Sequence, residues 1–549
     1  DGALVLSYIG LDGVERRTRI TPGPEAVISG SEISFKVLVP ARSPKELYVT
    51  VACETGDHHV AVDDYSSAIV NQRETHHRLV DQQSRISTSN EMFNAWVERS
   101  LSDMRMLITS THEGPFPYGG VPWYACPFGR DSIITAYEML WLDPTMARSV
   151  LAFLAATQAT EIDVDRAAQP GKVIHELRSG ELAATGEVPF GRYYGSVDAT
   201  PLFVALAGEY LAHTNDVDFL ASIWDPIEAA LTWCDTYGDV DGDGFVEYHG
   251  SERGLIQQGW KDSHDSVFHA DGAFARPPIA LCEVQGYVYW AKRNAARVAR
   301  ALGKLGRAVQ LEEQAAILHE RFEAVFWVPE IDMYALALDG DKRPCAVRTS
   351  NAGHLLLTGI VSDERAKLVA TALTSDQLFS GWGIRTLATS ETRYGPITYH
   401  NGSVWPHDNA LIAQGLANYG FKKDVHRIMS ALLDASGSFE FHRLPELYCG
   451  FPRRPGQGPI GYPLACAPQA WAAGSVFLLL RAALGLSVEA ANKRVVLTRP
   501  SLPAFLKEVR IQGLRAGDAS VDLALHHHDD DVGVNITGRS GDVEVVVVK

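Results

Sequence analysis

The feature that most constrains this chain is a series of twelve segments with helical periodicity, at 90–109, 131–141, 144–158, 198–213, 216–236, 278–303, 308–326, 351–359, 362–374, 403–419, 421–435 and 465–485. Several connections from an even-numbered segment to the next are short and turn-like, as at Asp143-Pro144, Asn215-Asp216, Val361-Ser362-Asp363 and Asn418-Tyr419-Gly420. Antiparallel helical hairpins need such turns. The connections from odd to even segments are mostly long and rich in Trp, Tyr, Gly, Asp and His. Six hairpins in a ring would gather the long loops at one end, each feeding the N-terminus of an inner helix. The expectation is a mainly α protein: an (α/α)6 toroid with one crowded mouth.

The ends of the chain read differently. Period-two alternation at 4–9, 33–39 and 47–51 predicts an N-terminal β-sandwich domain over 1–85. The toroid then takes 86–487. Alternation returns at 494–497, 521–525 and 543–547 and predicts a small C-terminal β-domain over 488–549. Between two of those strands, His526-His527-His528-Asp529-Asp530-Asp531 lacks a ligand spacing and reads as a solvated hairpin tip.

Charge excludes some partners. A net charge of −18 with no basic stripe argues against nucleic acid. The apolar run 475–486 is interrupted by Arg481 and too short to span a bilayer, so no membrane is expected. Seven cysteines form no CxxC pair or zinc spacing, and Cys234, Cys282 and Cys466 lie within apolar helical patterns, which suits a reducing cytoplasm. Nothing in the sequence sets an oligomeric state.

The long loops carry the residues of a sugar site, where aromatic faces meet C–H surfaces and planar polar groups meet hydroxyls. The first delivers Trp123, Tyr124, Phe128, Arg130 and Asp131 to the second helix; Asp131 could also be a plain cap. The next bring His175, Glu176 and Arg178, then Tyr194 and Asp198, the last as apt for capping as for a pocket. Trp260, Lys261 and Asp262 follow in Gln258-Gly259-Trp260-Lys261-Asp262-Ser263, and Gln285 in Glu283-Val284-Gln285-Gly286-Tyr287. Further loops contribute Trp382 and Arg385, then His400, Asn401, Trp405, His407 and Asp408, and finally Glu446 and Tyr462. Asp262, between a Lys and a Ser beside an indole, is placed for a tuned pKa. Glu446 is a lone carboxylate among apolar residues. Together they make the carboxylate pair that glycosidic cleavage requires, one to protonate the leaving oxygen and one to activate water.

Asp239-Val240-Asp241-Gly242-Asp243-Gly244-Phe245-Val246-Glu247 places Asp239, Asp241, Asp243 and Glu247 at positions 1, 3, 5 and 9 of an EF-hand-like loop. They are candidate oxygen ligands for a structural calcium ion. Position 12 is Gly250, so the bidentate Glu is missing; the alternative is a polar turn whose Asp side chains bond their own backbone. No cofactor is required for the chemistry.

Pro127-Phe128-Gly129-Arg130-Asp131, Gln258-Gly259-Trp260-Lys261-Asp262-Ser263, Glu283-Val284-Gln285-Gly286-Tyr287, Leu444-Pro445-Glu446-Leu447 and Tyr462-Pro463-Leu464-Ala465-Cys466-Ala467-Pro468-Gln469-Ala470-Trp471 resemble the bacterial amylo-α-1,6-glucosidase, or glycogen debranching enzyme-like, family. Tyr8-Ile9-Gly10-Leu11-Asp12-Gly13-Val14 resembles the β-domain that precedes the toroid there. The resemblance implies an (α/α)6 toroid and an inverting mechanism, with Asp262 as general acid, Glu446 as general base, and Arg130 and Asp131 on the terminal sugar. The expected activity is exo-hydrolysis of an α-linked terminal sugar, glucose by this resemblance. A toroid epimerase would want paired histidines, for which His175, His400 and His407 are available, and a phosphorylase would want a basic oxyanion site. A non-catalytic carbohydrate-binding protein would have no need of Glu446. For an inverting pair the carboxyls should stand about 6.5–9.5 Å apart, with Asp262 holding its proton and Glu446 losing one beside cations or amides.

Overall fold

Some helices of this chain begin where a side chain satisfies a free amide of the first turn. Asn90 accepts from Phe93 N at 2.9 Å to open the helix Glu91–Leu107, and Asp143 accepts from Thr145 N at 3.0 Å with Pro at the first helical turn of Pro144–Ala156. The computed structural model describes residues 2–58, 61–528 and 531–549. Among these, every one of the twelve periodic segments contains helix: Glu91–Leu107, Gly129–Met139, Pro144–Ala156, Ala199–Thr214, Val217–Ser222 with Trp224–Asp235, Cys282–Ala301, Leu305–Val325, Asn351–Thr358, Asp363–Leu373, Pro406–Asn418, Lys422–Ser436 and Ala470–Leu484.

Burial sorts these helices into two kinds. Gly129–Met139, Asn351–Thr358 and Ala470–Leu484 are buried on all sides, and Ala199–Thr214, Cys282–Ala301 and Pro406–Asn418 nearly so. The others bury one stripe, as Ala308, Leu311, Ala315, Leu318 and Phe322 of Leu305–Val325 show. The six buried helices contact one another in sequence order, and Ala470–Leu484 packs back on Gly129–Met139, so they close a ring. Striped helices lie against it: Glu91–Leu107 on Ala470–Leu484, Leu305–Val325 on Cys282–Ala301, Lys422–Ser436 on Pro406–Asn418.

The ends correct the sequence reading in three places. Residues 1–83 with 179–191 form one compact unit, and 84–178 with 192–549 the other. In the first, strands Leu4–Ile9, Glu15–Pro22 and Val49–Thr55 make one antiparallel sheet, and Ala26–Ser29 pairs with Glu32–Phe35 in a separate hairpin. Among the described residues these strands and hairpin are less than the β-sandwich expected, and strand residues such as Leu6, Ile9 and Val51 are exposed. The helix Tyr65–Gln82 follows, where no helix was expected: its turns carry few apolar residues, so periodicity has nothing to mark. In the second unit, Asp531–Ser540, Ala519–His528 and Glu508–Ala516 form a sheet whose fourth strand is Arg85–Thr88, just before the first ring hairpin. Leu486–Glu489, Arg494–Thr498 and Glu544–Val548 make a second sheet. The hairpin tip expected at 526–531 includes Asp529 and Asp530, which lie outside the described residues; His526, His527 and His528 continue a strand. With 38% helix and 22% strand, the chain carries sheets beside its helices.

Glycines let the buried helices approach. A Cβ on Gly415 would stand 2.7 Å from Leu356 Cβ and from Leu357 N, and one on Gly353 2.5 Å from Ile412. Gly415→Val should therefore overpack the Asn351–Thr358 and Pro406–Asn418 crossing and cost about 1–3 kcal/mol. A thermal melt should show a midpoint several degrees lower; an unchanged midpoint would mean the crossing is loose.

Candidate active site

The ring's loops are held to one another by short backbone pairings. Gly129 N donates to His175 O at 2.9 Å, and Phe128 pairs with Glu176. Gly129 must be glycine here, since a Cβ would lie 2.0 Å from Ile174 O. Val404 pairs with both Arg385 and Tyr448, Tyr448 with Gly461, and Gly120 with Gln469. These pairings draw the loops before the buried helices into one floor.

Arg130, in the first turn of Gly129–Met139, is buried and reaches three groups at 3.0 Å each: Asp198 Oδ2 and Gly259 O through Nη1, and Asp262 Oδ2 through Nη2. Asp198 stands just before the helix Ala199–Thr214 but caps nothing with its side chain; its carboxylate serves Arg130. The Asp262 side chain is 26% exposed, which lets a solute reach a carboxyl whose other side is fixed by Arg130. Burial raises its pKa, the Arg130 guanidinium lowers it, and the Asp198 charge raises it, for a net rise.

Glu446 is 1% exposed. Its Oε1 accepts from the Tyr399 hydroxyl and its Oε2 from Cys466 N at 2.9 Å. Tyr399 in turn shares a hydroxyl contact of 3.2 Å with Tyr124. Burial pushes Glu446 up to about 7, against the pull of the two hydrogen bonds. Of the cations or amides expected beside Glu446, the structure supplies the Cys466 amide, and among the described residues no cation bonds it; both carboxyls are shifted upward by desolvation. The charges of Asp131 and Asp262 add to the rise at Glu446, so the groups sense one another across the site. Asp131 is pushed up to about 7 by burial and accepts from Gln469 Nε2 at 3.2 Å.

Around this centre the sequence-predicted residues fall into layers. Trp123 is exposed, with its indole N–H on Leu464 O at 3.1 Å, and Tyr124 and Tyr462 are half-buried, Tyr462 lying 5.6 Å from Tyr399. Arg178 Nε bonds Glu176 Oε2 at 2.6 Å and its Nη1 bonds Trp123 O at 3.3 Å; the Asp262 charge is felt at Glu176. Phe128 lies edge-on between Tyr124 and His175. Beneath sits an aromatic block. Trp260 stacks on His354 at 5.8 Å and meets His400, Trp405 and His407 edge-on, while His407 stacks on Trp471 at 3.6 Å. Tyr287 donates to His354 Nδ1 at 2.6 Å, and His354 Nε2 donates to Asp408 Oδ1 at 2.7 Å, so Asp408 fixes the ring under Trp260. His400 is bound to Ser263, and Asn401 Nδ2 donates to Asp265 O at 3.0 Å. Trp382 lies under the Arg453 guanidinium.

Four predicted binding residues are committed to backbone instead. Gln285 bonds Val246 O, Val246 N and Leu281 O; Arg385 bonds Gly450 O, Asp376 O and Gln377 O. Tyr194 donates to Thr157 O at 2.8 Å, and Lys261 to Thr386 O at 2.7 Å. Each polar group is satisfied by carbonyls or amides inside the fold, a state that residue type and position along the chain do not reveal. Tyr399 and Gln469, by contrast, were not assigned roles from sequence, though each neighbours a motif residue, His400 and Ala470.

The Asp239 loop gathers acidic oxygens: one from each of Asp239, Asp241 and Asp243 lie within 4.8 Å of one another. Yet Lys342 Nζ contacts Asp241 at 2.8 Å, Asp243 at 2.6 Å, and Glu247. Asp239 accepts from Gly242 N and Gly244 N. As arranged, an ammonium meets three of the four carboxylates.

A ring of buried helices that presents two upshifted carboxyls beside tyrosines, an arginine and exposed aromatics has the equipment of a glycoside hydrolase, with carbohydrate as the substrate class. The profile of the mannosylglycerate hydrolase MGH1-like glycoside hydrolase domain matches residues 127–443, and the chain belongs to that family. The resemblance to amylo-α-1,6-glucosidases thus holds at the level of glycoside hydrolases. The fold is similar to that of a GH78 family rhamnosidase of Bacillus sp. GL1 (TM-score 0.61, 15% identity, 100% of this chain and 54% of that one). It is also similar to that of a GH63 mannosylglycerate hydrolase from Thermus thermophilus in complex with Tris (TM-score 0.54, 15% identity, 70% of this chain and 99% of that one). The chain spans about half the length of the rhamnosidase. A search of curated proteins found no match. Among the described residues, no helix is long and apolar enough to cross a membrane.

Arg130→Met would leave Asp198 and Asp262 without their shared cation. Removing one partner of a buried ion pair typically costs about 3–5 kcal/mol, so urea should unfold the variant at a clearly lower midpoint with the slope unchanged. A midpoint equal to that of the parent would show that Arg130 contributes nothing to holding the loops.

Proposed function

We propose that the chain is an inverting, exo-acting α-glycosidase on an (α/α)6 toroid, with Asp262 as general acid and Glu446 as general base. The observation that carries this is the pairing of an accessible, Arg130-held carboxyl with a buried one gripped by Tyr399 and the Cys466 amide. Asp262 gives its proton to the glycosidic oxygen as the C–O bond breaks. Glu446 takes a proton from the water that attacks the anomeric carbon on the opposite face. Burial raises both carboxyls, Glu446 to about 7. Arg130, bonded through Nη1 and Nη2 to Asp198, Gly259 O and Asp262, positions Asp262 rather than gripping sugar, while Trp123, Tyr124, Arg178 and Tyr462 are reachable and form the sugar's rim.

The matched family's name points to a glycoside of a small hydroxy acid, and Arg178, partly exposed and paired with Glu176, is a cation that an acidic aglycone could meet. The terminal sugar is an α-hexoside, glucose or mannose. An epimerase gains no support: His175, His400 and His407 are buried and kept neutral by desolvation, and His400 is bound to Ser263.

Asp262→Asn and Glu446→Gln should each cut turnover of an α-glucoside or α-mannosylglycerate by about 10²–10⁴-fold. A good leaving group should rescue the first more than the second. Proton NMR in the opening minutes should show the β-anomer released; the α-anomer first would overturn the inverting assignment. Parental activity in either variant would remove that residue from its role.

We further propose that Lys342, not calcium, balances the Asp239 loop. A chelator should then leave the melting temperature unchanged, while Lys342→Met lowers it. A fall on chelation, with calcium found by elemental analysis, would assign the ion instead.

A further inference from the structure

Away from the two carboxyls, the loop Ile162 to Lys172 and the segment Trp233 to Gln258 enclose a cavity of about 340 Å³. Neither Asp262 nor Glu446 lines it. Its inner wall carries Lys172, which is 4% exposed. One ammonium hydrogen goes to Ala167 O at 3.3 Å, and Trp233 presents its ring at 5.4 Å. Ala167 is held in the left-handed region at φ 52°, in a tight turn closed by the Asp163–Ala168 bridge, so the chain accepts backbone strain where that carbonyl meets the ammonium.

Charge bookkeeping around the cavity is uneven. Its two carboxylates each have a cation: Glu247 has Lys342 and Asp163 has Arg166. Among the described residues, Lys172 has no carboxylate within ion-pair distance. Burial brings it down to about 7, partly opposed by the Asp198 charge. A buried ammonium with spare donors in a chamber of this size is an unmet demand for one negative charge. Exposed Val164 and Tyr237 stand at the rim, and buried Gln258 offers an amide within.

We propose that this cavity is a binding site for a small organic monocarboxylate, with the carboxylate on Lys172 and the carbon body along Trp233 and Tyr237. A single cation between two carboxylates already paired matches one negative charge, which disfavours the dianion of phosphate. The site is separate from the catalytic reading and does not depend on it.

The test is thermal melting and calorimetric titration of the whole chain with sodium D-gluconate, with inorganic phosphate as a control. Gluconate should raise the midpoint saturably, and phosphate should not. Lys172→Met should weaken binding by roughly 10–100-fold, the loss of a charge-assisted bond. Because Lys172→Met could unfold, Val164→Trp serves as a second variant: Val164 is 85% exposed, and an indole there should block the entrance without disturbing packing. Glu446→Gln should bind gluconate as the parent does, which separates this cavity from the sugar site. Absence of a saturable shift, or an equal shift in Lys172→Met and Val164→Trp, would overturn the site. An equal response to phosphate would overturn the monocarboxylate assignment.

Discussion

The guanidinium of Arg130 sits where three loops meet, and most of the site's order follows from it. By bonding Asp198, Asp262 and Gly259 O, it ties the entrances of two buried helices to the loop that carries the proposed acid. A planar fork with donors in fixed directions can make these three bonds at once, whereas an ammonium on a flexible stem would fix none of their angles. Burying one cation between two carboxylates is tolerable because the hydrogen bonds replace water on each. With Arg130 in place, Asp262 is left with one open side, and a substrate oxygen can approach from that direction alone.

The two carboxyls are tuned by different balances. Asp262 is desolvated yet faces Arg130, so its rise is restrained; Glu446, with no cation bonding it among the described residues, is restrained by a hydroxyl and an amide. Donors to the charged form stabilise it without a counter-charge that would compete for the attacking water. Tyr399 is therefore a positioning residue for the proposed base, and its own contact with Tyr124 links that base to the aromatic rim.

The ring was legible in the sequence because it is made of long amphipathic or wholly apolar segments separated by turn chemistry, and tertiary packing reinforces rather than overrides those signals. The strand Arg85–Thr88 was not legible: four residues carry too little pattern, and their partner Glu508–Ala516 lies more than four hundred positions away in the chain. The helix Tyr65–Gln82 escaped because a helix with a weak apolar stripe has no periodicity to find. The proposed catalytic pair was legible for a local reason, each carboxylate standing in a loop that enters a buried helix among apolar or aromatic neighbours. Arg385 and Gln285 show the limit of that reasoning. Both occupy loop or helix-entry positions of the same kind, yet their side chains are consumed by carbonyls and amides. Residue type announces hydrogen-bonding capacity; only packing decides whether the partner is a ligand or the protein itself.

The same distinction bears on the Asp239 loop and the Lys172 cavity. In the loop, an acidic spacing that reads as a cation site meets an internal cation, so the sequence pattern and the charge balance part company. In the cavity, the sequence shows an ordinary lysine in Gln169-Pro170-Gly171-Lys172, and the fold leaves it buried with no carboxylate at ion-pair distance among the described residues. A lysine at a surface would impose nothing, since water would solvate it. Desolvated beside an indole, it must lose its proton or gain an anion, and the space in front of it is large enough for the second.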